Sequence, residues 1–272
     1  MARPHLHPHL TAASRRGAPW AWAVAGVLAG GLLASTLFAP ARWLAWGVAQ
    51  ASQQHVQLLQ PLGTVWDGSA QLTLGADAAV ATALPGRVTW RLRPQWLGAA
   101  LRLEAPCCLQ APWEIKLGAS TGALQLQAAD LDAGHALRLP SALLAGLGTP
   151  WNTIQLQGTL ALQPQGLALR WQADHLALQG RLQMDALQMR TRLSPLQAVG
   201  SYRLLLQGGE APTLALQTLD GALQLQGQGQ WQQGRLRFDG EARAAAGRED
   251  ALANLLNIIG RRDGARSIIH LG

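Results

Sequence analysis

Apolar residues fall at every second position through much of the chain. In GALQLQGQGQWQQGRLRFDGEA, Gly221 to Ala242, one parity carries Leu223, Leu225, Gly227, Gly229 and Trp231. After a break at Gln232-Gln233-Gly234, the other carries Leu236, Phe238, Gly240 and Ala242. Successive side chains of a strand point to opposite faces, so each half reads as a half-buried strand, and the break as a hairpin turn. A two-residue loop at Gln233-Gly234 sets Trp231 opposite Leu236, Gly229 opposite Phe238 and Gly227 opposite Gly240. The apolar sheet face is then Leu223, Leu225, Trp231, Leu236 and Phe238, with the large Phe238 ring over the small Gly229. A one-residue slip would turn four large apolar groups to water at roughly 1.5 to 3 kcal/mol each, so the register is well specified.

The same alternation recurs at Leu72-Thr73-Leu74, Leu101-Arg102-Leu103, Leu124-Gln125-Leu126, Leu160-Ala161-Leu162, Leu167 to Trp171, Leu176-Ala177-Leu178 and Leu214-Ala215-Leu216. Gly or Pro punctuates most gaps, and the spacing is too irregular for a solenoid or propeller. The prediction is an all-β fold: an antiparallel meander, as a curved or two-layer sheet with one apolar face.

Two segments break the period of two. WAWAVAGVLAGGLLASTLF, Trp20 to Phe38, carries no charge and as a helix is about 28 Å long, the thickness of a hydrocarbon core. Arg3, Arg15 and Arg16 precede it, and beyond Arg42 the next basic residue is Arg87. The positive-inside rule then puts the N-terminus in the cytoplasm, and Trp20, Trp22, Phe38 and Trp43 suit the ends of a transmembrane anchor. Ala39-Pro40-Ala41 superficially resembles a cleavage box, but the apolar run is longer than a signal peptide's and proline is a poor context. Near the other end, Leu252, Leu255, Leu256 and Ile259 follow helical spacing after Glu249 and Asp250. They predict a short amphipathic helix capped by Gly260. The expected organisation is a disordered cytoplasmic tail over 1–19, a transmembrane helix over 20–41, a helical connector over 42–62 and a periplasmic β domain over 63–272.

Composition adds restraint. Only 14% of the 272 residues are charged, and the net +7 comes from 22 basic residues of which one, Lys116, is lysine. They are scattered, with no basic stripe interleaved with aromatics, so no nucleic-acid partner is expected. His5, His7 and His9 lie in the N-terminal tail, while His55, His135, His175 and His270 are far apart with no metal spacing. Neither a nucleophile elbow nor a phosphate-cradling loop appears, so the expectation is a non-enzyme without cofactor. Cys107-Cys108 is the only cysteine pair. In an oxidising compartment it can close as a vicinal disulfide, and structural staple, free thiols and redox switch are all open readings.

The single span together with GTVWDGSAQL (63–72), LPGRVTWRLRP (84–94), GQGQWQQGRLRFDGEARA (227–244) and LLNIIGRRDGARSIIHLG (255–272) resembles the type II secretion system protein N family. The GTVWDG opening and the GRRDG-containing end are its most specific parts. The resemblance implies a bitopic inner-membrane protein whose periplasmic domain is similar to the AsmA-like group, an accessory subunit whose partners are the platform subunits of the apparatus. It supplies no catalytic residue. A different class of function, holding a lipid or acyl chain against the apolar face, follows if that face stays open, whereas two sheets packed face to face would satisfy it without a ligand.

Overall fold

A computed structural model describes residues 20–75, 81–120, 122–148, 151–172 and 175–272. The expected tail over 1–19 and the side chain of His175 lie outside the described residues. The chain divides into two units, Met1–Ala39 and Pro40–Gly272.

In the first unit, α1 (Trp20–Leu37) is a regular helix with no buried side chain. By length and composition it can cross a membrane.

The second unit opens with α2 (Ala41–Ala51). Its first strands are β1 (Val56–Gly63), β2 (Asp67–Leu74), β3 (Thr82–Ala83), β4 (Val88–Gln95) and β5 (Gly98–Glu104). β6 (Trp113–Ser120), β7 (Ala123–Ala128) and β8 (Leu137–Pro140) lead to a 3-10 helix (Ser141–Leu147) and the one-turn α3 (Trp151–Ile154). Two long strands follow, β9 (Gln157–Gln172) and β10 (His175–Arg190), and then β11 (Gly200–Gln207), β12 (Thr213–Asp220), β13 (Leu223–Gln232) and β14 (Arg235–Ala244). The chain ends in α4 (Glu249–Ile259), β15 (Arg261–Asp263) and β16 (Arg266–Leu271).

All of these strands belong to one antiparallel sheet in the order β1-β2-β4-β5-β6-β7-β9-β10-β11-β12-β13-β14-β16-β15, with β3 beside β2 and β8 beside β9. Nearly every neighbour in space is a neighbour in sequence, which short hairpin connections enforce. The exceptions are β4 beside β2, β16 beside β14, and β9, which at 16 residues is long enough to pair with β7 through one half and with β8 through the other.

The β13–β14 register pairs Trp231 with Leu236, Gly229 with Phe238 and Gly227 with Gly240. Gln233 (φ 53°) and Gly234 (φ 77°) both take the left-handed conformation that a two-residue turn matched to strand twist demands. A Cβ on Gly229 would lie 2.9 Å from the Phe238 ring, so glycine there is what lets the ring lie across the strand. Beyond α4, β15 and β16 pair as a hairpin around Gly264, and Arg266 bonds Asp263 across it.

Two expectations need correction. The helical connector expected over 42–62 ends at Ala51, and a strand starts at Val56, well before Gly63. Pro61 is tolerated in that strand because β1 is the edge of the sheet and is bulged between Leu59 and Leu62. Gly260 does cap α4, but in an extended rather than left-handed conformation (φ −166°). Its lack of a side chain answers a different need, since a Cβ there would collide with the Ile268 carbonyl.

Candidate functional site

Apolar residues of the sheet share one face, and three separate covers close parts of it. Over β2, β4 and β5, α2 packs Ala41 and Leu44 against Ala70, Trp90, Leu101 and Leu103. The Trp90 ring is buried, and its Nε1–H donates to the Val65 carbonyl at 3.1 Å. A second cluster gathers Leu84, Ala105, Cys108 and Leu143 of the 3-10 helix against Leu72, Leu74, Leu137 and Leu139. In the third, α4 lays Leu252, Leu255 and Leu256 on Met189, Val199, Tyr202, Leu223 and Ala242. Tyr202 donates its hydroxyl to the Leu223 carbonyl, and burial pushes its phenol pKa upward. None of the three clusters joins the two ends of the sheet, which a face-to-face sandwich would require.

Between the covers the face is open. Strand pairing aligns Ala99, Leu117, Leu126, Leu169 and Leu178 in one row across β5, β6, β7, β9 and β10. The next row outward is Ala119, Leu124, Trp171 and Leu176, where Leu124, Trp171 and Leu176 are each more than 60% exposed. Residues aligned in this way point to the same side of a sheet. Of the residues expected to form the apolar face of the last hairpin, Leu223 and Phe238 are buried, while Leu225, Trp231 and Leu236 are half-buried.

The opposite face carries the charge. Asp185 is the best-held carboxylate, accepting from Arg203 Nε at 2.7 Å and Nη2 at 2.8 Å, and from the Gln183 amide at 3.1 Å. Those hydrogen bonds, Arg203's foremost, hold its pKa below the usual carboxylate value despite burial, which acts the other way. A carboxyl with a depressed folded pKa adds stability that is complete above its unfolded value near 4 and disappears as pH falls through the folded value. Asp185→Asn is therefore expected to lower stability by about 1 to 2 kcal/mol at neutral pH. The difference from wild type should shrink as pH falls through the depressed folded pKa of Asp185, as thermal melts of the detergent-solubilised chain across pH would show.

Among the described residues, histidines and carboxylates meet only in pairs. His135 bonds Asp132, lowering that carboxyl's pKa, and His270 bonds Asp239. Among the described residues no group of three or more His, Cys, Asp or Glu could hold a metal ion. Cys107 and Cys108 are bonded to each other in the turn after Ala105, with Cys108 packed into the second cluster and Cys107 exposed. Sequence reasoning missed α2 and the 3-10 helix as covers. The signal for α2 was present, since Ala41, Leu44 and Val48 follow helical spacing.

Residues 54–268, almost the whole sheet unit, match the family described as type II secretion system (T2SS), protein N. The chain belongs to this family. No curated protein and no solved structure matches it. Membership assigns the chain an accessory role in type II secretion, in association with other components of that system. With α1, it also makes the chain a membrane-anchored protein.

Proposed function

We propose that the chain is a non-catalytic subunit of the type II secretion apparatus, anchored in the inner membrane by α1 and placing its sheet in the periplasm. The family match across the sheet carries this reading. In it, Trp20, Trp22, Phe38 and Trp43 flank the hydrocarbon region, and the positive charges before Trp20 hold the N-terminus in the cytoplasm. The Cys107–Cys108 bond serves as a staple of its loop. The sheet contacts the inner-membrane platform subunits and supports export of folded proteins across the outer membrane. Photocrosslinkers placed along the sheet in the native host are expected to trap those subunits. Crosslinks to unrelated periplasmic proteins alone, with secreted hydrolase levels unchanged on deletion, would overturn the proposal.

A second reading is favoured by the open rows around Leu117, Leu126, Leu169 and Trp171. An acyl chain lying across them would cover the apolar surface that α2, the 3-10 helix and α4 leave free, as the AsmA-like likeness implies. Native mass spectrometry of the detergent-extracted chain tests it: a co-purifying lipid supports the reading, and its consistent absence removes it.

A further inference from the structure

The turns of the meander alternate between the two ends of the sheet, and the end that holds the β4–β5 turn is lined with apolar side chains. Register makes this explicit. Gln95 pairs with Gly98 beside the β4–β5 turn, Gly98 pairs with Gly118, Gly118 with Gln125, and Gln125 with Arg170. The β4–β5 turn and the adjoining ends of β6, β7, β9 and β10 therefore lie side by side. Trp96 at the first is 97% exposed, with Leu97 also exposed beside it, and Leu124, Trp171 and Leu176 continue the line. α4 lies at the far end, against the last residues of β14. Soluble turns are normally polar, and tryptophan is the residue type enriched where protein meets the headgroup layer.

Two further observations say what this rim meets. The polar side of the same strand ends carries Arg93, Lys116 and Arg170, which make no ion pair with a described residue. Lys116 lines a cleft of about 410 Å³ together with Gln95, Trp96, Leu97, Gln125 and Gln127. Apolar tips backed by unpaired cations and amides complement a surface with an anionic outer layer and a hydrocarbon interior. In addition, the Leu92 amide bonds the Trp66 carbonyl, which puts the β1–β2 turn at this end, and Pro40 bridges to Thr64 in that turn. Pro40 is where the sheet unit begins, two residues after the apolar run closes at Phe38.

The geometry points to an anionic phospholipid bilayer as the partner of this rim: Trp96 and Leu97 enter the headgroup layer, and Arg93, Lys116 and Arg170 meet lipid phosphates. The docking is separate from the secretion role and needs no occupant in the open apolar face. To test it, the full chain carrying Leu97→Cys is labelled with an environment-sensitive fluorophore and reconstituted in phosphatidylethanolamine–phosphatidylglycerol vesicles. The bonded Cys107 and Cys108 leave the new thiol as the labelling site. A second chain carries Glu249→Cys, in α4 at the far end. Brominated acyl chains are expected to quench the label at 97 at least about twofold, the depth at which interfacial tryptophans reside, and to leave that at 249 unaffected. Equal quenching of both positions by aqueous iodide would overturn the proposal. So would protection of position 97 from both quenchers, which would mean that protein covers the rim.

Discussion

Trp90→Ala is expected to destabilise the sheet unit by about 3 to 5 kcal/mol, the range for truncating a buried tryptophan. The ring fills the space between α2 and the sheet, is 4% exposed, and touches Ala41 and Ala70, which are too small to close over the void. Truncation also strips the Val65 carbonyl of its donor. The damage should stay local, because no other cluster shares these residues. Hydrogen exchange on the detergent-solubilised chain is expected to accelerate in β2, β4 and β5 and to leave β13, β14 and β16 at wild-type rates. Acceleration throughout the sheet would show that its ends unfold as one.

Leu256→Ala makes the mirror experiment at the other end. Leu256 is fully buried between α4 and the sheet, and its carbonyl accepts the Ser267 hydroxyl at 2.7 Å. A loss of about 2 to 5 kcal/mol is expected, with exchange now rising in α4, β14 and β16. The two clusters share no residue and belong to different strands. The double variant should therefore show the sum of the single effects within about 0.5 kcal/mol. Denaturant titrations of the three chains check this, and a deficit or excess well beyond that margin would reveal coupling through the strands between.

Both clusters belong to features that differ in how plainly the sequence announces them. The β13–β14 hairpin was legible because alternation, a Gln-Gly turn and large-over-small pairing all fix the same register. α4 was legible because its leucines repeat at helical spacing after two carboxylates. The β1 strand was not. VQLLQPLG has apolar residues at 56, 58, 59 and 62, which fits neither period cleanly, and the bulge that reconciles it with a sheet is a tertiary event. The family likeness rested on short motifs around Gly63 and at the C-terminus, and the match over 54–268 extends across the generic Leu/Gln strands between them.

The open apolar rows were half legible. Single-faced strands announced that something must lie over them, yet pattern alone could not choose between a second sheet, helices and nothing. The outcome depends on connectivity: with most strands paired to sequence neighbours, the described sheet stays one layer, and only short helical elements lie on it. The rim at the turns was less legible still. Trp96, Leu124 and the Trp171–Leu176 pair stand far apart in sequence, and only the register of the strands between lines them up.

The two margins of the sheet limit how this protein can be recognised. One ends in β1, interrupted by Pro61 and a bulge; the other ends in the three-residue β15, whose Arg261, Arg262 and Asp263 are all exposed. Short, charged or proline-broken edges discourage a foreign strand from pairing with them. A sheet blunted in this way neither grows by stacking copies edge to edge nor captures an extended peptide as an extra strand. Any secretion partner must therefore engage side chains on the faces or at the turns, where the chain's own substitutions, rather than its backbone, decide who binds.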